Sequence, residues 1–230
     1  VNWAVDNEAD VIFASVAESG EILQDMPALT EKAFTLVKYG KHMTFTTEIL
    51  RDSDANLMNF INGWAARGWA GTLNSLLMTE LAANGTASLT LDAAAAIGAA
   101  EIPEFVGKLA PEYQSGAQWI MHPTTFSYLQ GLVGNQFYFA NTPNGGMPNS
   151  SLWGFPLNQT SYATALGASA KSLFLLNGNF VGVREVDGLQ MLRDPYSAAH
   201  LGQLKLWFYF SAVFGVLVPE AVRYASHPSA

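Results

Sequence analysis

The sequence contains no cysteine, which excludes a disulfide framework, a thiolate metal site and a cysteine nucleophile. Charged residues are scarce as well. Asp, Glu, Lys and Arg make up 13% of the 230 residues, about half of the ~25% usual in globular domains. A lone soluble domain keeps roughly 25–35% of its surface charged, whereas 50% of this chain is hydrophobic. We therefore expect a subunit that hides much of its surface against copies of itself.

Basic residues and long apolar runs are also few. The chain has 11 Lys and Arg against 19 Asp and Glu, a net charge of −8, which argues against a protein that grips nucleic acid through a basic face. The longest apolar run, Leu206–Val218, is shorter than the ~18 residues of a membrane span. It predicts a pair of buried strands. The chain begins at Val1 without a visible signal peptide, so we expect a mature or truncated chain.

Motifs for catalysis are missing too. The sequence has no GxSxG, GxxxxGK[ST], GxGxxG or HExxH pattern, and its four histidines form no pair at metal-ligand spacing. His122, before Pro123, is interpreted as helping to start a helix. Asp52 and Asp54 are interpreted as helix-capping residues rather than a catalytic carboxylate pair. The sequence therefore predicts no catalytic residue, no cofactor and no metal.

The features that are present begin with an acidic N-terminal segment. Six carboxylates lie between Asp6 and Asp25, and the first basic residue is Lys32. No 3.6-residue period is visible there, so the segment is predicted to be extended, and Phe34–Thr47 reads as a strand. Two extended limbs around an acidic tip predict a long hairpin. Because an isolated hairpin is only marginally stable, we expect it to lie on a neighbouring subunit.

Two other features bear on surfaces. Lys38 and Lys41 are interpreted as part of a solvated strand edge, with contact to an acidic neighbour as the alternative. The aromatic run Trp207–Phe210, with Phe214, is interpreted as core and interface rather than as a stacking platform for bases, because no Lys or Arg is directly adjacent to it.

A long helix is predicted from Asp54 to Ala83, about 45 Å at ~1.5 Å per residue. Its glycines at 63, 68 and 71 each cost ~1 kcal/mol against alanine, so close approach of another backbone is expected there. Asn84-Gly85 predicts a left-handed end cap.

The remaining elements alternate, which makes the fold class α+β. Helices are predicted at Leu91–Ala100, from Pro103 to Leu109, and from Thr124 to Val133, and 141–151 is predicted to be a loop. The predicted strands are Ala117–Met121, Leu152–Leu157, Ser172–Leu176, Phe180–Arg184, Leu189–Leu192, Leu204–Val213 and Leu217–Tyr224, with Asn177-Gly178 as a hairpin turn.

Five segments, in this order and spacing, resemble the major capsid proteins of tailed phages with the Hong Kong 97-type (HK97-like) fold. Each motif alone is weak, and their order makes the resemblance specific over essentially the whole chain. The segments are Ala17–Gly20 with Phe34–Lys41, Thr46–Ser53, Ala117–Phe126, Leu152–Leu157 and Val218–Val222.

The resemblance implies a fold with a long spine helix and three regions. Residues 1–36 would form an extended loop over an adjacent subunit, 37–90 with 178–217 a peripheral domain, and 91–177 with 218–230 an axial domain. It implies a structural head subunit, not an enzyme, that assembles in the host cytoplasm into pentamers and hexamers of an icosahedral virion shell around double-stranded DNA. Implied partners are the chain itself, a portal, a scaffold or maturation protease, and a decoration protein, without a membrane.

The residues expected at assembly interfaces follow from this resemblance. Acidic loop residues would face basic residues of a neighbour, with a merely solvated acidic face as the alternative, and a Gly-Gly pair would lie near the capsomer axis. Trp64 and Trp69 are expected to pack against the sheet. The interface residues are Glu18, Glu21, Asp25, Arg51, Arg67, Arg184, Gly145 and Gly146.

One departure from the family concerns covalent crosslinking, in which some members join a loop lysine to a neighbour's asparagine. Here the loop has no lysine before Lys32, and the region from Asp194 to the C-terminus contains no asparagine. We therefore expect no autocatalytic crosslinking, and stabilisation by non-covalent contacts or a cement protein.

Two rival interpretations remain open. An encapsulin-like compartment uses the same fold to hold a cargo enzyme instead of DNA. A β-rich hydrolase or binding module would need a concave site with perturbed titratable groups, for which the sequence offers no candidate.

Overall fold

The computed structural model describes residues 2–6, 15, 29–46, 48–49, 56–132 and 151–229. The helices named here are α1 (Asn56–Asn84), α2 (Glu101–Gly107), α3 (Pro111–Gln114) and α4 (Pro123–Gly131). The strands are β1 (Asn2–Asp6), β2 (Leu29–Ala33), β3 (Val37–Thr46), β4 (Thr86–Thr90), β5 (Ala117–Met121), β6 (Ser151–Leu152), β7 (Phe155–Gln159), β8 (Lys171–Asn177), β9 (Val181–Asp194), β10 (Gln203–Val216) and β11 (Val222–Ser226).

These strands form two sheets and one separate hairpin. Strands β3, β10 and β9, in that order, make an antiparallel sheet that we call the small sheet. Six strands in the order β4-β11-β8-β5-β7-β6 make the large sheet, in which the pairs β4–β11 and β5–β7 are parallel. Strands β1 and β2 pair only with each other and are called the root hairpin. The arrangement confirms the predicted α+β class.

Helix α1 connects the two sheets. It spans 29 residues, about 43 Å at ~1.5 Å per residue, and confirms the predicted long helix. Ile61 and Ala65 in its first half pack against Leu206 of the small sheet. Met78 and Leu81 in its second half pack among buried residues of the large sheet. No helix within the described ranges is long and apolar enough to cross a membrane.

The glycines at 68 and 71 of α1 are not explained by the close approach of another backbone that was expected there. In the described part of the chain, a methyl group at Gly68 would meet nothing within 4 Å, and one at Gly71 would overlap the hydroxyl of Tyr162, a side chain rather than a backbone. Gly85 follows the helix as expected, but its φ lies outside the left-handed region. Glycine fits there because a Cβ would stand 2.6 Å from the Leu81 carbonyl oxygen.

The small sheet contains two strands that are longer than the strands predicted for the same residues. The apolar run that begins at Leu206 belongs to the single strand β10 as far as Val216, so the predicted strand pair within it is wrong. Strand β9 likewise joins the two strands predicted at 180–184 and 189–192. A bulge between them places Asp187 and Gly188 at positive φ, and pairing with β10 continues on both sides of it.

The large sheet confirms β5 and β8, and it corrects one predicted strand and one predicted turn. Residues 152–157 form two strands joined by Trp153 and Gly154, both at positive φ, instead of one strand. Asn177-Gly178 does not close a hairpin, because β8 belongs to the large sheet and β9 to the small one. The Asn177 side chain accepts from the Asn179 N–H and starts a short 3-10 turn between the sheets.

The predicted helix at 91–100 is wrong. Leu91 continues the path of β4 by donating its N–H to the Ser226 carbonyl, 2.9 Å away. The carboxylate of Glu101, which is buried, accepts the backbone N–H groups of Asp92 and Gly98. These contacts hold the segment as an irregular loop, and helix begins only at Glu101. Satisfying backbone donors from outside the segment outweighs the helix propensity of its alanines.

The N-terminal hairpin is confirmed at its base and differs in its second limb. Strands β1 and β2 pair antiparallel, with Trp3 opposite Lys32. The second limb is therefore Leu29–Ala33, and β3 is a separate strand that pairs with β10 instead. The acidic tip, the capping residues Asp52 and Asp54, and residues 141–150 of the predicted loop lie outside the described residues. The last residue of that predicted loop, Ser151, begins β6 instead.

Candidate assembly interface

The small sheet has one face covered by α1, and an opposite face on which the root hairpin lies only at the end where Gly182 pairs with Gly215. Along β10 the side chains alternate, as a strand requires. Those at even positions from 204 to 212 are buried against the helix side. Those at odd positions from 203 to 213 are intermediate or exposed. We call the second side the open face.

Aromatic and cationic side chains are combined on the open face. The His42 ring stacks on Trp207, with centroids 4.7 Å apart, and these two residues face each other across β3 and β10. Lys38 Nζ lies 4.4 Å from the centroid of the Tyr209 ring. Such cation–π contacts are worth about 0.5–1 kcal/mol at exposed sites. They hold the lysine flat on the sheet and leave its charge accessible.

The charge of the open face is positive on balance. Lys38, Lys205 and Arg184 occupy positions on this side, and Asp194 is the acidic residue directly opposite Lys205. The carboxylate of Asp194 is already engaged by the β9–β10 turn. It accepts the N–H of Tyr196 at 2.9 Å and the N–H and hydroxyl of Ser197. The hydrogen bonds from Ser197, then that from Tyr196, hold the Asp194 pKa below its usual value.

Exposed apolar side chains concentrate around the same sheet. Tyr196 is 85% exposed at the tip of the β9–β10 turn, and Leu192 on the open face is 53% exposed. Nine of the eleven large hydrophobic residues that are exposed in the described chain lie on the small sheet, on its turn or near the first half of α1; the other two are Trp153 and Tyr162. Large exposed apolar side chains gathered around one sheet, here on both of its sides, indicate an interaction site.

The two tryptophans of α1 pack against the sheet, as predicted. Trp69 Nε1 donates to the Glu185 carboxylate at 2.6 Å, and the Trp64 ring meets Phe208 edge-on at 6.4 Å between centroids. Lys41 Nζ lies 5.9 Å from the Trp64 ring centroid on the same side. The aromatic side chains surround an apolar cavity of about 170 Å³ beneath Gly68.

Two of the predicted interface residues, Arg67 and Arg184, are described by the structure, and they lie on opposite sides of the small sheet. Arg67 is exposed on α1. Glu185 faces the helix through Trp69, so its neighbour Arg184 points to the open face. The small sheet thus stands between the two guanidinium groups. The other predicted residues, Glu18, Glu21, Asp25, Arg51, Gly145 and Gly146, lie outside the described residues.

Sequence reasoning missed the open face as a unit. His42, Lys205 and Trp207 meet there only because β3 pairs with β10, which places His42 opposite a residue 165 positions further along the chain. Lys38 and Lys41 do lie on an edge strand, and each rests against an aromatic ring, on opposite sides of the sheet. The alternation within β10 was the available signal, since large apolar residues at even positions separate from Lys205 and Ser211 at odd ones.

The histidines in contact with polar partners have structural roles. His122 Nδ1 accepts the N–H of Thr124 at 3.1 Å and so starts α4, as predicted. His227 is buried and bonds both the Ser172 hydroxyl and the Ala93 carbonyl, each at 2.8 Å. Because a carbonyl oxygen can only accept, Nδ1 is the donor of the bond to Ala93. Within the described residues no group of three or more His, Cys, Asp or Glu is placed to hold a metal ion.

Comparisons with known proteins show similarity to the capsid proteins of phages and related particles. A family model described as the phage capsid family matches residues 2–226. The capsid of the native GTA particle superposes with a TM-score of 0.79 at 19% identity, and the capsid of the empty GTA particle with 0.75 at 18%; each match covers 100% of this chain and 85% of that chain. Gordonia phage Cozz gives 0.65 at 12% identity, covering 100% of this chain and 81% of that chain. No curated protein matches the sequence.

Proposed function

The chain belongs to the phage capsid family and is a structural subunit of a capsid with the HK97-like fold, and we propose that its copies gather into pentamers and hexamers that close an icosahedral shell around double-stranded DNA. The observation that carries this proposal is the family match over residues 2–226. The low content of charged residues supports this proposal, because a subunit whose surface is covered by its neighbours needs few charged side chains to remain in solution.

The contacts between subunits would be many and individually modest. Burial of apolar surface contributes roughly 25 cal/mol per Å², and symmetry repeats each contact around the shell. Exposed side chains such as Leu192, Tyr196 and Leu201 supply such surface at one end of the subunit. The net charge of −8 would let packaged DNA move without sticking to the shell.

We assign the domains by the same proposal. Residues 1–36 would be the extended loop, 37–90 with 178–217 the peripheral domain, and 91–177 with 218–230 the axial domain around five-fold and quasi-six-fold axes. Strand β4 is hydrogen-bonded in the large sheet. This pairing favours placing the boundary between the peripheral and axial domains at Gly85 rather than after residue 90. The Gly145-Gly146 pair would lie near the capsomer axis.

The acidic loop would pair with a neighbour's basic residues. We propose that the acidic side chains are those of Glu18, Glu21 and Asp25, and that their partners on the neighbouring subunit are among Arg51, Arg67 and Arg184. Because Arg67 and Arg184 lie on opposite sides of the small sheet, one loop would reach one of them and not both. Each exposed pair would contribute only about 0–1 kcal/mol, so salt would weaken assembly gradually.

The remaining partners are those that a capsid needs. We propose a portal, a scaffold or maturation protease, and a decoration protein, with assembly in the host cytoplasm. Crosslinking is not part of the proposal, because the first lysine is Lys32 at the loop base and no asparagine follows Asp194. A mature shell that runs as a covalent ladder on a denaturing gel would contradict this point.

The test is negative-stain electron microscopy of the full-length protein after size-exclusion chromatography. Closed icosahedral shells are expected. DNA or scaffold inside them would support the phage head, and a packaged enzyme would favour the encapsulin-like compartment instead. A monodisperse monomer from the complete parent gene would overturn the proposal.

A further inference from the structure

Two glycines face each other on the small sheet where the root hairpin meets it. Gly182 of β9 and Gly215 of β10 are directly opposed in the antiparallel register. A side chain at either position would point to the side on which Trp3 and Phe34 lie. We call this pair of glycines the notch.

The two aromatic rings fill the space that side chains would take. A Cβ at Gly215 would overlap three ring carbons of Phe34, the farthest of them 2.7 Å away. A Cβ at Gly182 would stand 3.2 Å from two carbons of the Trp3 indole. The rings also contact each other edge-on, with centroids 5.0 Å apart. The notch therefore holds the base of the root hairpin by shape.

Polar contacts fix the same junction. Lys32 Nζ donates to the carbonyl of Leu217 at 2.6 Å, just after β10 ends. Lys32 stands opposite Trp3 in the root hairpin, so the ring and the ammonium group come from one cross-strand pair. Val5, two residues further along β1, is buried. The hairpin base is thus seated at one defined angle on the sheet.

Backbone conformation does not explain these glycines. Neither has a φ in the left-handed region, and both lie inside paired strands. Glycine weakens a strand interior and marks sites where another group approaches closely. Here the approaching groups are the two rings, and any larger residue would displace them.

We propose that the Gly182–Gly215 notch is a positioning site for assembly. It sets the direction in which the chain leaves the root hairpin at residue 6 and returns to it at residue 29. It thereby selects the neighbouring surface that the acidic segment between these residues meets. This inference rests on the proposed shell function. According to this inference, the contact with the neighbouring subunit is determined by the packing at the base of the root hairpin as well as by the charges of the acidic segment.

The test uses the full-length chain with Gly215→Ala, Phe34→Ala and the double variant. Gly131→Ala is the matched control, because a Cβ there meets nothing within 4 Å. Gly215→Ala is expected to lower shell yield roughly tenfold, the size of a lost interface anchor. It is also expected to speed amide hydrogen exchange in β1 and β2 while exchange in the large sheet stays as in the wild type.

The double variant carries the decisive comparison. Once Phe34 is alanine, the added methyl no longer overlaps the ring atoms nearest to it, so Gly215→Ala should cause little further loss of shells or of exchange protection. Additive losses, or unchanged exchange in β1 and β2, would overturn the proposal. If Gly215→Ala does not fold, Gly182→Ala gives the milder test, since its neighbours need to yield only slightly. Exchange is measured on subunits, so the notch can fail independently of shell formation.

Discussion

The two sheets of this subunit bury their surfaces to different extents. Around the large sheet, seventeen buried residues form one core with α2, α3 and α4. Between the small sheet and α1, the corresponding cluster has five. The large sheet has its core completed within the subunit, whereas the small sheet leaves its open face and most of the exposed apolar side chains for other copies. Stability and assembly are therefore expected to depend on different halves of the molecule.

The largest effect is expected from the core of the large sheet. Trp119 is fully buried, packs on Phe105 at 5.6 Å between ring centroids, and donates its Nε1–H to the Leu152 carbonyl at 2.9 Å. Trp119→Ala should cost about 3–5 kcal/mol of unfolding free energy. Thermal unfolding followed by circular dichroism measures it. A loss below ~1 kcal/mol would show that this core does not hold the subunit together.

The next effect concerns the buried carboxylate that shapes residues 92–100. Glu101→Gln replaces an acceptor of two backbone N–H groups by an amide that opposes one of them with its own donor. We expect a loss of about 1.5–3 kcal/mol in urea unfolding. Glu104→Gln on the same helix is the control, because Glu104 makes only an exposed pair with Lys108 at 3.6 Å. Equal losses in both variants would contradict the assigned role.

A matched tryptophan pair tests the division between the sheets directly. Trp207 on the open face and Trp153 beside the large sheet are 38% and 40% exposed. Trp207→Ala should lower shell yield roughly tenfold while the unfolding free energy changes by less than ~1 kcal/mol. Trp153→Ala should leave shell yield near that of the wild type. If both variants lose shells equally, the open face is not the preferred contact.

A smaller effect separates two glycines of α1. Gly68→Ala should stabilise the subunit by about 0.5–1 kcal/mol, because helix propensity rises and the methyl meets nothing within 4 Å. Gly71→Ala should gain less, since the Tyr162 hydroxyl must first move away. Differential scanning calorimetry on unassembled subunits measures both. A larger gain at Gly71 would show that Tyr162 does not restrain the helix.

The smallest effect is a pH dependence at the tip of the small sheet. Hydrogen bonds from Ser197 and Tyr196 lower the pKa of Asp194 from its usual 3.8. A carboxyl with a lowered folded pKa stabilises above its unfolded pKa, and this stabilisation is lost as the pH falls through the folded value. The protection factors of the turn amides, which correct for the slower intrinsic exchange in acid, should therefore fall below about pH 3.8. Asp194→Asn, which cannot ionise, should lack this acid step while the rest of the sheet is unchanged.

Strong local patterns in the sequence predicted the long helix and several shorter elements well. Helix α1, strand β5, strand β8 and the His122 cap all follow from spacing or from one adjacent pair of residues. The errors fall where distant residues decide. The alanines at 93–96 resemble a helix, but Glu101 and Ser226 take the backbone donors on either side of them. Asn177-Gly178 resembles a hairpin turn, but its flanking strands join different sheets.

The sequence by itself determined the α+β class, the spine-like helix, the shortage of charge and the resemblance to capsid subunits, because each is a local or compositional property. Only the tertiary structure decided which face of the small sheet stays open, that His42 meets Trp207, and that Gly182 and Gly215 oppose each other beneath Phe34. These facts depend on strand register between segments far apart in the chain. A shift of one residue would turn every side chain to the other face.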